Sequence, residues 1–278
     1  MIVRTLTGIG LVLLLAFAVT MGGWVFSVLF MASICLCIFE VFRAMKNAGN
    51  HPVEWPVWIC VCVSIPVFLV TNHSYLVLLL MGCACVLTCV NILFRKEPSL
   101  TDLMFSCLPM FSVLLPGMCM LSFQQFPGRL MQTYFILMSF GVPLMGDTLA
   151  LFVGSRWGKH ALSPVVSPHK TVEGALGGLG GSILWAVILH LVYSIFTPVA
   201  PIWHAAVIGV IGGLLGQVGD LFASLEKRHC GIKDFGHIFP GHGGMMDRLD
   251  SVFFATLAVY LYTLIYGSSL AALVEAVS

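Results

Sequence analysis

The sequence predicts an all-α fold, a polytopic integral membrane helix bundle of about nine transmembrane helices. Three observations carry that expectation. Of the 278 residues, 59% are hydrophobic and only 9% are Asp, Glu, Lys or Arg, with a mean hydropathy of +1.01. A soluble domain of this length needs a charged surface, so this composition excludes it. Apolar runs near the length that crosses a bilayer recur at 5–21, 23–42, 56–71, 74–94, 103–122, 132–153, 173–196, 203–225 and 251–270. With those spans, Arg4, Arg43, Lys46, Arg95, Lys96, Arg156, Lys159, Lys170, Lys227, Arg228, Lys233 and Arg248 all fall on one side, and Arg129 falls on the other. One missed or spurious helix would scramble this bias. The positive-inside rule then puts the N-terminus and the large polar loops in the cytoplasm, and a bacterial inner or plasma membrane is the expected location.

Residues 1–130 read as transmembrane helices with little motif content. The first span is long and is followed after Gly22-Gly23 by the second, unlike a cleaved signal peptide. Glu40 and Arg43, one turn apart near the end of the second span, read as an interfacial anchor. Turn signals at Lys46-Asn47-Ala48-Gly49 and Lys96-Glu97-Pro98 close the second and fourth spans. Nine of the ten cysteines lie in or near spans, where they act as small apolar packing residues; no disulfide or zinc framework is expected. His51, His73, His190 and His204 have no partner at metal-ligand spacing and read as interfacial polar residues. No basic stripe exists, and no nucleic-acid partner is expected.

Residues 131–278 read as a catalytic half with polar loops at 154–172 and 226–250. Asp147 interrupts the sixth span and Asp220 the eighth. A carboxylate at membrane depth costs about 2.5–3.5 kcal/mol on insertion scales, so each is expected to be paired, hydrated or bound to a cation. The first polar stretch, Ser167-Pro168-His169-Lys170-Thr171-Val172-Glu173-Gly174, places a lysine and hydroxyls before a glycine-rich helix start, which suits either a phosphate or close helix packing. In the second, Lys227, Arg228 and Lys233 can neutralise phosphate oxygens, and Gly241, Gly243 and Gly244 leave backbone amides accessible. Asp220, Asp234, Asp247 and Asp250 supply hard oxygens of the kind Mg²⁺ takes together with substrate phosphates. The chemistry implied is a metal and phosphates at a membrane face.

The stretch SLEKRHCGIKDFGHIFPGHGGMMDRLD, Ser224 to Asp250, closely resembles the signature of the phosphatidate cytidylyltransferases, or CDP-diglyceride synthases. The likeness extends to Gly219-Asp220, to Ser167–Gly174 and to Asp147-Thr148, covering roughly the C-terminal half. Glu226 and Leu151 depart from the family's usual residues. The resemblance implies transfer of the cytidylyl group of CTP to phosphatidate, giving CDP-diacylglycerol and pyrophosphate, with Mg²⁺ and a monovalent cation such as K⁺. It implies that Asp220 and Asp247 hold the metal, with Asp250 and Asp147 as further candidates. Lys233 and Arg248 join Asp220 and Asp247 as the expected catalytic groups. Ser167, Lys170, Thr171, Lys227, Arg228, His242, Gly243 and Gly244 are expected to bind the phosphates of CTP or phosphatidate. His242 is open between touching a phosphate, orienting Asp247 and holding its own turn. The acyl chains would lie among membrane lipids. The family also implies a homodimer, for which Gly209/Gly213 and Gly212/Gly216 offer small-residue faces that fit contact within or between subunits equally.

Two rival functions use the same residues. One is a CTP-dependent transferase acting on another phospholipid or a polyprenyl acceptor. The other is an ion-coupled transporter using Asp147 and Asp220.

Overall fold

In lipid a backbone must satisfy its own hydrogen bonds, and uninterrupted apolar runs do so as helices. A computed structural model describes residues 2–71, 74–197 and 199–275, and each of the nine apolar segments lies on a helix. Among the described residues seven helices are long and apolar enough to cross a membrane, and Thr5–Met21 and Trp55–Ser64 add two shorter apolar stretches. The chain is an all-α polytopic membrane protein. It divides into two units, Met1–Gln125 with Glu226–Arg248, and Phe126–Leu225 with Leu249–Ser278.

The first unit contains α1 (Ile2–Met21), α2 (Gly23–Asn47), α3 (Trp55–Thr71), α4 (Ser74–Leu93), α5 (Leu100–Pro109) and α6 (Leu115–Ser122). On α2, Phe26, Phe30, Ile34, Ile38, Val41 and Met45 recur every three or four residues and are all buried, which makes this helix the core of its unit. Between Pro109 and Pro116, each lacking an N–H for the helical ladder, Met110–Leu114 form a π-helical turn that joins α5 to α6. The loop after α2 is tied down by α5. Asp102 Oδ1 accepts the His51 N–H at 2.8 Å, and Ser106 Oγ accepts the Val53 N–H at 2.7 Å.

The second unit holds α7 (Arg129–Trp157), β1 (Ala161–Ser163), β2 (Ser167–Thr171) and α8 (Val172–Ser194). It also takes residues of α9 (Ile202–His229) up to Leu225 and of α10 (Met246–Glu275) from Leu249. The two strands form an antiparallel hairpin with Ala161 opposite Thr171 and Ser163 opposite Ser167. At the end of β2, Thr171 caps α8 by accepting the Gly174 N–H on Oγ1 at 3.1 Å. Thr171→Ala is therefore expected to destabilise this unit by about 1 kcal/mol, read as a lower midpoint in thermal unfolding of the detergent-solubilised protein.

Both stretches read as loops are partly ordered. Residues 154–157 complete α7 and 161–171 form the hairpin, while α9 runs on to His229 and α10 begins at Met246. The polar ends stay helical because Lys227 and Arg228 sit in the last turn of α9, where cations offset the helix dipole, and Asp247 sits in the first turn of α10. The glycine faces of α9 are used inside the unit. A Cβ on Gly209 would lie 2.7 Å from the Ile183 Cα, and one on Gly213 would lie 2.7 Å from the Ser182 side chain, both on α8.

The ten cysteines are free thiols. His190 is not interfacial: it is buried, with its Nδ1 3.0 Å from the Tyr134 hydroxyl. His204 is hydrogen-bonded to the Tyr262 hydroxyl, and His73 lies outside the described residues.

Candidate active site

In the second unit, the hairpin brings Lys170 onto Asp220. Lys170 Nζ and Asp220 Oδ2 make a direct ion pair, with both side chains partly open to solvent. The hairpin is held at its base by Glu173, whose Oε2 accepts the Lys159 and His160 N–H groups at 3.1 and 3.2 Å while Oε1 lies 2.6 Å from His160 Nδ1. A cavity of about 460 Å³ opens here, and its walls include Asp147, Ser167, Lys170, Thr171, Gln217 and Asp220. Two carboxylates against one ammonium leave it a formal deficit of positive charge. The donor set fits Mg²⁺, which is held by one or two carboxylates and completes its shell with water and substrate phosphates.

In the first unit, Asp247 anchors the segment between α9 and α10. Its Oδ1 accepts Lys227 Nζ at 2.9 Å, and its Oδ2 accepts the N–H groups of Phe235 and Gly244 at 2.8 and 2.9 Å. The Asp247 side chain is 2% exposed and that of Lys227 13%. Among the described residues three donors meet this buried carboxylate, one on Oδ1 and two on Oδ2. Gly243 has φ +79°, and a Cβ there would sit 2.9 Å from Asp247 Oδ2. That position needs glycine on both counts.

Beside this network, Phe239–Gly243 fold into a tight turn, with the His242 N–H donating to the Phe239 carbonyl at 2.8 Å and the Phe239 N–H to the Gly243 carbonyl at 3.0 Å. His242 Nδ1 lies 2.7 Å from the Thr7 hydroxyl of α1. A second cavity, of about 360 Å³, is walled by Lys233, Asp234, His237, His242, Gly243 and Arg248. Here the cations outnumber the carboxylate, so this cavity suits an anion. Burial pushes the thiol pKa of Cys230, nearby in sequence, up, and the Glu226 charge adds to the effect.

The structure thus brings Ser167, Lys170, Thr171 and Asp220 together with Asp147, and separately Lys233, His242, Gly243 and Arg248. Lys227 and Gly244 go to Asp247. Arg228 is exposed on the last turn of α9 and lines neither cavity. Asp250 is 7% exposed, and its Oδ1 accepts the Ser251 N–H at 2.7 Å. Among the described residues no group of three or more His, Cys, Asp or Glu side chains forms a ready-made metal cage. A site completed by substrate phosphates does not need one.

Glu40 and Arg43 are not an interfacial anchor. Glu40 is fully buried, its Oε2 accepts the Met246 N–H at 2.9 Å, and Arg43 Nη2 donates to the Phe235 carbonyl at 3.0 Å. The rule that singles out Asp147 and Asp220, a carboxylate inside an apolar span, applies equally to Glu40.

A profile of the cytidylyltransferase family matches residues 2–266. The chain is similar to the phosphatidate cytidylyltransferase of Staphylococcus saprophyticus, 46% identical over 122 residues, which cover 44% of this chain and 45% of that protein. Similar too is the phosphatidate cytidylyltransferase of Staphylococcus aureus, at 44% over 121 residues, covering 44% of this chain and 45% of that protein. The match thus spans a little under half the length of these relatives. Because the family profile runs through both units and through every residue placed above, the chain belongs to the cytidylyltransferase family.

Proposed function

We propose that the protein transfers the cytidylyl group of CTP to phosphatidate, releasing pyrophosphate and leaving CDP-diacylglycerol in the membrane. The observation that carries this reading is the cavity in which Lys170, Ser167 and Thr171 face the carboxylates of Asp220 and Asp147. It offers a cation and two hydroxyls for phosphate oxygens beside hard ligands for a metal. In the reaction a phosphatidate phosphate oxygen forms a bond to the α-phosphorus of CTP. The bond from that phosphorus to the oxygen bridging to the β-phosphate breaks, and pyrophosphate leaves with the electron pair. The nucleophile is already an anion, so no general base is required; the protein's work is to align two highly charged reactants and offset their charge.

Asp220, with Asp147 beside it in the second unit, and Asp247 in the first unit are each proposed as metal carboxylates, and Asp250 is a further candidate that the resemblance gives. Mg²⁺ bound there would offset the charge developing on the leaving pyrophosphate. Lys233, Arg248 and His242 hold phosphate groups in the second cavity. Lys227 balances Asp247, and the resemblance alone suggests K⁺ as a further cation. The cation distribution supports a cytoplasmic N-terminus and active site in a bacterial inner membrane, on the side where CTP is found. A homodimer rests on family likeness, since Gly209 and Gly213 pack within the subunit.

Lys233→Ala and Arg248→Ala are each expected to raise the KM for CTP or for phosphatidate by about tenfold, as loss of a charged hydrogen bond of roughly 1.5 kcal/mol would do. Initial rates against each substrate would identify which phosphate each cation serves. The function itself is tested by supplying the purified protein with CTP, Mg²⁺ and a panel of acceptors. Phosphatidate is expected to be the preferred acceptor. Faster transfer to a polyprenyl phosphate or another phospholipid would overturn the substrate assignment, and solute flux into liposomes without CTP consumption would overturn the enzyme.

A further inference from the structure

We infer that Glu40 and Arg43 of α2 are positioning residues that hold the backbone cradle of Asp247. The inference rests on the proposed reading of Asp247 as a metal carboxylate, but its geometry is independent of that reading. The backbone of Phe235 is held on both sides: Arg43 donates to its carbonyl, and its N–H donates to Asp247 Oδ2. The residue immediately before Asp247, Met246, gives its N–H to Glu40 Oε2. Met246 is also the first residue of α10, so a carboxylate 206 positions away in sequence caps that helix at its positive end.

Close approach explains how the cradle seats on α2. A Cβ on either Gly236 or Gly244 would run into the Glu40 carboxylate, so these two glycines let both sides of the cradle close over it. Gly244 in turn gives its N–H to the same Asp247 oxygen that Phe235 does. Glu40 Oε1 is buried with no hydrogen-bond partner among the described residues, an arrangement that a leucine of similar volume would avoid. The carboxylate is accounted for by what it holds. One helical turn of α2, Glu40 to Arg43, therefore fixes the peptides at 235, 244 and 246 that aim the Asp247 oxygens.

The test is amide hydrogen exchange of peptides covering 234–247 in the full detergent-solubilised chain, combined with a titration of activity against Mg²⁺. In Glu40→Ala, exchange across this segment should accelerate about tenfold or more while distant helices keep their protection. Half-saturating Mg²⁺ should rise by roughly 10–100-fold, the usual penalty for removing a group that orients a metal ligand. Glu40→Gln keeps an oxygen for the Met246 N–H and should restore both readouts to within about threefold. Gly244→Ala attacks the same contact from the other side, so its effect on exchange should be non-additive with Glu40→Ala. Unchanged exchange at 234–247 in Glu40→Ala, a loss of protection spread over the whole chain without rescue by Gln, or additive effects of the two alanines would each overturn the inference. If the wild type makes no CDP-diacylglycerol, the functional reading fails, while the exchange comparison still decides whether Glu40 holds the cradle.

Discussion

Asp220→Asn should lower CDP-diacylglycerol formation by roughly 10³-fold, the scale on which a single transition-state electrostatic group acts, with little change in the thermal unfolding midpoint. The small structural effect follows from geometry. Asp220 is 26% exposed in its side chain and pairs with one partly exposed lysine, and ion pairs of this kind contribute at most about 1 kcal/mol. The large catalytic effect follows from its place beside Asp147 in a cavity short of positive charge, where an amide is a poor metal ligand. Product formation and unfolding measured on one preparation check both halves. Retained activity in a folded Asp220→Asn protein would remove the metal assignment from this residue.

Asp247 should behave differently, because there the chemistry and the fold share one carboxylate. Asp247→Ala leaves the Phe235 and Gly244 N–H groups and the Lys227 ammonium without their acceptor, in a place almost closed to water. Removing one partner of a buried ion pair costs about 3–5 kcal/mol, so this variant should lose both stability and activity. Asp247→Asn keeps one oxygen for the two backbone donors and should recover much of the stability while activity stays low. The diagnostic result is that split, read as the unfolding midpoint against the rate of product formation. If the asparagine variant were as active as the wild type, Asp247 would be a structural anchor alone.

The membrane fold was legible because lipid imposes a one-dimensional rule. A run such as Leu76–Leu93 carries no charged residue over its whole length and satisfies its backbone in a bilayer as a helix. Asp220 was legible as chemistry for the converse reason, a charge where the rule forbids one, and Lys170 as a cation before a glycine-rich helix start. Their pairing was less so, since it depends on the hairpin at 161–171, whose strands of three and five residues are too short to show alternation. The partly ordered state of the two loops was hidden for a similar reason: hydropathy marks where lipid ends, whereas α9 continues to His229 in polar surroundings. Glu40 was misjudged because its partner lies 206 residues away, and its place near the end of a span beside Arg43 suggested an interfacial anchor instead. The glycines of Pro240–Gly244 drew attention as a phosphate cradle, yet the bare side of Gly244 faces Glu40 and its N–H serves Asp247.

The central claim is that the α-phosphorus of CTP becomes bonded to the phosphate of phosphatidate. Its most direct measurement gives the purified protein phosphatidate, Mg²⁺ and CTP radiolabelled at either the α- or the γ-phosphate, and follows the label into the lipid phase. The account predicts that α-label enters the lipid in step with pyrophosphate release, that γ-label stays in water, and that chelating the metal stops both. Transfer of γ-label to lipid, or CTP breakdown that leaves the lipid unlabelled from either position, would contradict it.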